Sequence, residues 1–476
     1  MKKYLIISIS LLTMVACTKD IAKYNNQTKA PAVAPPSTLF SNAVRNLVDV
    51  LASTNVNRNV FRLVVQHWAT TTYQDEPNYD FYTRGIPQFW WGRMYRDVLV
   101  DLKEAKRLIP LDNSIVDENI RKNQIAIADI MQVYTYTVLV NTFGNVPYSD
   151  ALDANILFPK YADAKSIYDS LFIRLDADIA ALNPAAGGFS AGADLVYAGS
   201  VASWVKFANS FKIRMAMTIV DVDAAKAKTA VEQADAKAFQ SAADNASFAY
   251  QRVTPNTNPL WVDLIQSNRQ DFIAANTLVN KLKELSDPRL SMYFKPNSGG
   301  VYAGGTVGSN NTFSDYAKFS DKLAAMDFPA LLLDYPEIEF YRAEALERGF
   351  ALTETAEKHY NNAIKASLLY WGVSAADTGT YLRRPDVAYK TAAGTYKQKI
   401  GTQKWFAMYN RGYEAWTEYR RLDYPVLIAP TTAKSGFPNR FTYPTNEQTL
   451  NSANYTDAAA KMGGDKVESK VFWDKN

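Results

Sequence analysis

Apolar and polar positions alternate with a helical period through the middle of the chain. Between Asn119 and Phe143, apolar side chains recur at three- and four-residue spacing at Ile127, Ile130, Met131, Tyr134, Val138 and Leu139, which places them on one face of a helix. Gly144-Asn145 and Pro147 end it. The same reading predicts three adjacent helix pairs: 120–143 with 162–182, 200–219 with 223–239, and 329–348 with 354–371. The later helix of each pair repeats a pattern. Ala164, Tyr168 and Leu171 return as Ala356, Tyr360 and Ala363, and more weakly as Ala227, Val231 and Ala234. A small residue one turn before a ring lets two helices approach closely, as in tetratricopeptide repeats. The spacing between pairs is irregular. The expected fold class is therefore mainly α, an α–α superhelix of tetratricopeptide-like helix pairs with large loop-rich insertions; an unrelated helical bundle is the alternative.

Elsewhere the helical period is lost. Residues 66–91 combine turn formers with closely spaced aromatics, and residues 296–315 are dense in Gly, Ser and Asn, which predicts a flexible turn region. The last hundred residues read as irregular, because Pro425, Pro430, Pro438 and Pro444 interrupt any long helix.

The first residues have a pattern of their own. Lys2 and Lys3 precede an apolar run from Tyr4 to Ala16, shorter than the roughly 20 residues a membrane-crossing helix needs and typical of a secretory signal. It closes on Met14-Val15-Ala16-Cys17, the sole cysteine of the chain. This resembles the lipobox of bacterial lipoproteins, in which the cysteine is acylated and becomes the new terminus. The expected organisation is a signal peptide over 1–17 ending at lipidated Cys17, a tether over 18–37 carrying Pro31, Pro35 and Pro36, and one ligand-binding domain over 38–476. At full stretch the tether reaches on the order of 65 Å. With Cys17 committed to lipid, no thiol remains for a disulfide, a nucleophile or a metal.

Charge excludes one class of partner. The formal net charge of +4 falls to about +2 once Lys2 and Lys3 depart, and the basic residues are interspersed with acids, so no nucleic acid is expected. The catalytic inventory is poor. His67 and His359 are the two histidines, and neither stands in a zinc-protease arrangement. His359 reads as helix-face packing or solvent exposure, and for His67, inside the aromatic stretch, packing outweighs ligand contact. A glycosidase pair needs carboxyls roughly 5–9 Å apart across a cleft, yet Glu337 and Glu339 diverge on a helix, while Glu344 and Glu347 read as a solvated face or part of a packing motif. Gly299, Gly300, Gly304, Gly305 and Gly308 lack the Gly-Lys-Ser/Thr ending of a phosphate loop. No catalytic residue, cofactor or metal is predicted, and the chain is expected not to be an enzyme.

Binding has better support. The 29 tyrosines and 9 tryptophans offer rings with a polar edge, suited to sugars whose C–H faces stack while their hydroxyls seek planar donors and acceptors. The candidate ligand residues are Trp68, Tyr73, Tyr79, Tyr82, Arg84 and Trp90 of the aromatic stretch, Asn268, Arg269 and Asp271 of a polar cluster, and Tyr302 of the glycine-rich loop. Some of these rings are expected only to cap the scaffold. Trp91 and Tyr95 sit at core spacing and read as structural.

Several fragments, in order, carry a resemblance: Trp91-x3-Tyr95 into Asp101-Leu102; Phe143-Gly144-Asn145-Val146-Pro147-Tyr148; Asp287-Pro288-Arg289; Tyr335-Pro336-Glu337 into Arg342-Ala343-Glu344-Ala345; Lys404-Trp405; Glu414-Ala415-Trp416-x3-Arg420-Arg421; and Pro438-x-Arg440 with Tyr443-Pro444, Glu447 and Asn451. Together they span nearly the whole mature chain and resemble the SusD/RagB family, in its SusD-like branch described as starch-binding and associating with the outer membrane. The resemblance implies a lipid-anchored protein on the outer membrane, facing the cell exterior. It would capture oligosaccharide on a loop-rich face and deliver it to a partner TonB-dependent (SusC-like) transporter. A peptide-binding relative for oligopeptide uptake is the alternative, and a lipid-anchored hydrolase a third reading.

Overall fold

The fold is described from a computed structural model over residues 34–475. The signal peptide, Cys17 and the tether as far as residue 33 lie outside the described residues.

The predicted pairs all form. We label the long helices α1 (Pro36–Ala52), α2 (Val100–Leu108), α3 (Glu118–Phe143), α4 (Ala164–Ala181), α5 (Val201–Thr218), α6 (Ala224–Ala234), α7 (Tyr335–Glu347), α8 (Ala356–Trp371), α9 (Tyr396–Ala407) and α10 (Gly412–Leu422). α3 packs on α4, α5 on α6, and α7 on α8. The starts of these helices are set by short polar side chains that accept from exposed backbone N–H groups. Asp117, Asp163, Ser200, Asp223, Asp334 and Thr355 fill this role in turn. Gly144 and Gly372, at φ 83° and 101°, end α3 and α8 in conformations that favour glycine. The repeated pattern is packed: Tyr168 and Leu171 are buried, as are Tyr360, Ala363, Ala227 and Val231, and the Tyr168 hydroxyl donates to Asn141 Oδ1 at 2.7 Å, joining α4 to α3.

Three expectations need correction. Residues 330–333 are not helical. Ala330–Leu333 is a strand paired antiparallel with Ala246–Phe248, and the helix begins only after Asp334 caps it, with Pro336 in its first turn. A four-residue apolar run ahead of a cap and a proline is too short for a helix period to distinguish it from a strand. Second, the last hundred residues hold a further pair, α9 packed on α10, because the four prolines all fall after Leu422. Thr395 and Gln398 form a capping box that opens α9. Third, α1 starts at Pro36, two residues inside the stretch expected as tether; proline at a first helical position forfeits no hydrogen bond.

Charged side chains run through the middle of the helical stack. Arg214 of α5 grips Glu337 of α7 through Nε at 2.7 Å and Nη2 at 2.8 Å, and Arg411 reaches the same carboxylate at 2.6 Å. Lys404 of α9 meets Glu418 of α10 at 2.6 Å. Glu344, for which the sequence offers a solvated face or a packing motif, is packed: it is fully buried against Arg421. The Glu-Ala and Arg-Arg fragments are thus internal clamps between successive pairs, while Glu347 is exposed and accepts from the Tyr389 hydroxyl. The chain's end returns to the first pair. Arg440 donates to the Phe143 carbonyl at 3.1 Å and the Tyr443 hydroxyl to that of Asn145 at 2.8 Å, closing the fold around the Gly144 turn. Trp91 and Tyr95 belong to that core, with the Tyr95 hydroxyl donating to the Pro147 carbonyl at 2.6 Å.

Candidate ligand-binding face

The insertions converge on one face. Trp68–Thr70 and Phe272–Ala274 pair antiparallel, and the ribbon extends by one rung, Thr71 N–H to the Asp271 carbonyl at 2.9 Å, with Thr71 Oγ1 donating to Gln270 O at 2.5 Å. This brings the aromatic stretch beside the polar cluster, although the two lie about 200 residues apart in sequence.

Where they meet, the half-exposed Tyr73 ring has two guanidinium groups over it, Arg84 at 5.0 Å and Arg269 at 5.5 Å from the centroid, within the range of cation–π attraction. Arg269 also donates from Nη2 to the Tyr73 hydroxyl, and from Nε to Asp271 Oδ2 at 2.5 Å. Arg84 pairs with Glu76, whose carboxylate is fully buried. Burial raises that carboxyl, and Arg84 opposes the shift. Burial, then the Asp271 charge, push the Tyr73 phenol above its ordinary value. The outcome is an aromatic surface with an exposed guanidinium and a held carboxylate at its edge, a planar donor and acceptor set beside an apolar face.

Two buried asparagines fasten the surrounding loops. Asn311 donates to the carbonyls of Thr70, Thr306 and Ser309 at 2.8–2.9 Å and accepts from Thr306 N–H at 3.0 Å. Asn78 donates to the carbonyls of Gln74 at 2.7 Å and Gly308 at 2.9 Å, and accepts from Thr432 Oγ1 at 2.6 Å. The glycine-rich loop, expected to be a flexible turn region, is therefore tied at several points. Its glycines permit close approach: a Cβ on Gly304 would meet the Asn276 backbone at 2.5 Å, and Gly308, at φ +76°, would place one 2.5 Å from Asn78 Oδ1. Beside the loops, clefts of about 310 Å³ and 570 Å³ adjoin at Thr277 and Val426. The larger is lined by both signs of charge, Lys281, Glu284, Asp386 and Lys399 among them.

Of the ten candidate residues, Tyr73, Arg84, Arg269 and Asp271 come together. Three rings belong to the core instead. Trp68 stacks on Phe319 at 4.0 Å, Trp90 sits edge-on to Phe61 at 5.0 Å, and Tyr79 lies against Phe437 at 5.9 Å, all fully buried. Large apolar rings next to a helical stack gain more from burial than from solvent exposure. Tyr82 is 63% exposed but its neighbours are Thr442 and the charges near Asp465, away from the Tyr73 platform. Asn268 is an exposed turn residue at φ 53°. Tyr302 is half-buried against the core, and no described bond or ring contact joins it to Tyr73. Asn78, Asn311 and Glu76 were not singled out from the sequence. Asn78 and Asn311 each bond a residue more than 200 positions away and leave no local pattern, whereas Glu76 pairs with nearby Arg84.

Neither histidine is available for chemistry. His67 is fully buried, with Nε2 3.1 Å from the Trp405 carbonyl, and burial lowers it to about 3. His359 is buried between Glu339, 3.0 Å from Nδ1, and the Thr353 carbonyl, 3.0 Å from Nε2. Among the described residues no group of three or more His, Cys, Asp or Glu side chains is placed to hold a metal, and no helix is long and apolar enough to cross a membrane.

Residues 26–444 match the sequence profile of a family described as SusD-like, starch-binding and associating with the outer membrane. Among solved structures, a chitin-binding protein is 26% identical with a TM-score of 0.81, over 93% of this chain and 100% of that one. A SusD homolog from Bacteroides uniformis is 26% identical with a TM-score of 0.79, over 92% and 99% of the two chains. A chitin-binding SusD homolog from Flavobacterium johnsoniae is 25% identical with a TM-score of 0.78, again over 92% and 99%. No curated protein sequence matches.

Proposed function

The chain belongs to the SusD-like family, and from that premise we propose that it is a cell-surface glycan-binding lipoprotein. It captures oligosaccharide on the loop face and passes it to a TonB-dependent outer-membrane transporter. It is held to the outer membrane, facing outward, by lipid on Cys17, and it performs no chemistry on its ligand. The observation that carries the proposal is the Tyr73 platform, with Arg269 and Asp271 bonded at its edge. A sugar ring needs an aromatic face for its C–H groups and fixed planar partners for its hydroxyls, and the cluster supplies both. The chitin-binding relatives support a saccharide over a peptide.

The test is calorimetric titration of the purified full chain against separate pools of oligosaccharides and oligopeptides, with chromatography of the ligand after long incubation. Saccharide heat with unchanged ligand is expected. Heat from peptides alone sinks the glycan reading, and shortened products sink the non-enzymatic one.

A further inference from the structure

A second concavity, sharing no lining residue with the loop face, opens between α8 and the ribbon formed by Ala246–Phe248 and Ala330–Leu333. Its volume of about 670 Å³ is that of an ordinary small-ligand site. Two half-exposed tyrosines, Tyr335 and Tyr370, stand in its wall beside Asn245, Ser247 and Asn362, and the exposed Leu369 lies at its rim.

The wall is held from behind. Asn245 Oδ1 accepts from Tyr335 N–H at 2.7 Å. Behind the wall the buried Glu339 is fixed by Arg342 at 2.7 Å and His359 at 3.0 Å. The Asn245 bond ties the start of α7, and with it Tyr335, to the residue that leads into the Ala246–Phe248 strand. Lys365 is the single charged residue in the lining, whereas the larger loop-face cleft carries both signs. Its tyrosine rings and the amides of Asn245 and Asn362 give an uncharged ring bearing hydroxyls or amides stacking surfaces and planar hydrogen-bond partners.

We infer that this concavity is a second saccharide site, taking a short uncharged glycan segment against Tyr335 and Tyr370. The inference rests on the glycan class proposed above but not on the Tyr73 platform.

The full chain is titrated with a starch-derived and a chitin-derived oligosaccharide series, alongside Ala366→Trp, which fills the concavity, Tyr370→Ala, and Tyr73→Ala at the loop face, with thermal unfolding as the control for folding. The expected result is two sites per chain in the wild type and one in Ala366→Trp. Tyr370→Ala should weaken the concavity site by about three- to tenfold, the size of one stacking contact, and Tyr73→Ala should leave the concavity site intact. A folded Ala366→Trp that keeps both sites overturns the inference while leaving the loop-face reading in place. Loss of a site in Ala366→Trp with no effect of Tyr73→Ala upholds the inference and overturns the loop-face reading. No binding by the wild type in either series overturns both.

Discussion

Glu344 of α7 and Arg421 of α10 face each other in the middle of the helical stack, joined by two parallel bonds of 2.6 Å, with neither side chain exposed. The pair fixes the third helix pair against the fourth. Arg421 also bonds Glu418 at 2.7 Å and Glu344 also accepts from Arg348 at 2.9 Å, so removing Glu344 takes a negative charge out of a buried network and leaves its cations in excess. Glu344→Ala is expected to destabilise the protein by about 3–5 kcal/mol, measured by urea unfolding. Replacing both residues with apolar ones of similar volume, Glu344→Leu with Arg421→Met, is expected to recover most of that loss, since the charges that remain, Lys404 with Glu418 and Arg348 with Asp221, are then balanced. A double variant as unstable as the single one contradicts this account of the pair.

The two histidines should move stability with pH in opposite directions. His67 has a folded value of about 3, lowered by burial from an ordinary 6.5. The unfolded chain therefore binds the proton more readily, and the His67 contribution, complete above pH 6.5, is lost as pH falls from there toward 3, by about 1.4 kcal/mol per unit. His359 is raised: burial lowers it, but the bond and charge of Glu339 prevail. Its contribution is complete below 6.5 and is lost as pH rises through its folded value. Urea midpoints from pH 4 to 8 for wild type, His67→Gln and His359→Gln test this. The slope on the acid side should flatten in His67→Gln, and any pH at which His359→Gln matches wild type should lie on the alkaline side.

Glu337 adds a deeper acid transition. Burial alone would raise its carboxyl, yet Arg214 and Arg411 bring it to about 2 from an ordinary 4.5. Its stabilisation is present above 4.5 and lost as pH falls from there through 2. Glu337→Gln should therefore be less stable than wild type at pH 6, with the gap narrowing by pH 3.

The loop face depends on Asn311. Its side chain answers three carbonyls and one N–H, and an unanswered buried group costs about 1–3 kcal/mol. Asn311→Ala should raise amide hydrogen exchange across 300–316 and at Thr71, leaving α3 and α10 protected. Uniform loss of protection would mean that the loops and helical stack unfold as one unit.

How far the sequence leads can be read from particular residues. The helix pairs are legible because Tyr168 and Tyr360 recur with small neighbours at a spacing that only a helix makes contiguous. The strand at 330–333 escapes because four apolar residues fit either period, and α9 with α10 escapes because prolines beyond Leu422 colour the whole terminal stretch. The candidate site is legible as a region but not as a list. Trp68, Tyr79 and Trp90 look like Tyr73 in sequence, and what separates them is tertiary: the three are fully buried against other rings, while Tyr73, which also meets Phe272 at 6.4 Å, stays half-exposed with two arginines over its ring. Asn78 and Asn311 have partners up to 354 and 241 residues away, a distance across which local pattern carries no information.

The most direct test of the central claim compares wild type, Tyr73→Ala and Trp90→Ala in saccharide titration and thermal unfolding. Tyr73→Ala is expected to unfold with the wild type and to lose about tenfold or more in saccharide affinity, the loss of a stacking surface and its oriented guanidinium. Trp90→Ala should instead lose about 3–5 kcal/mol of stability. Saccharide affinity unchanged in a folded Tyr73→Ala would contradict the assignment of the loop face as the binding site.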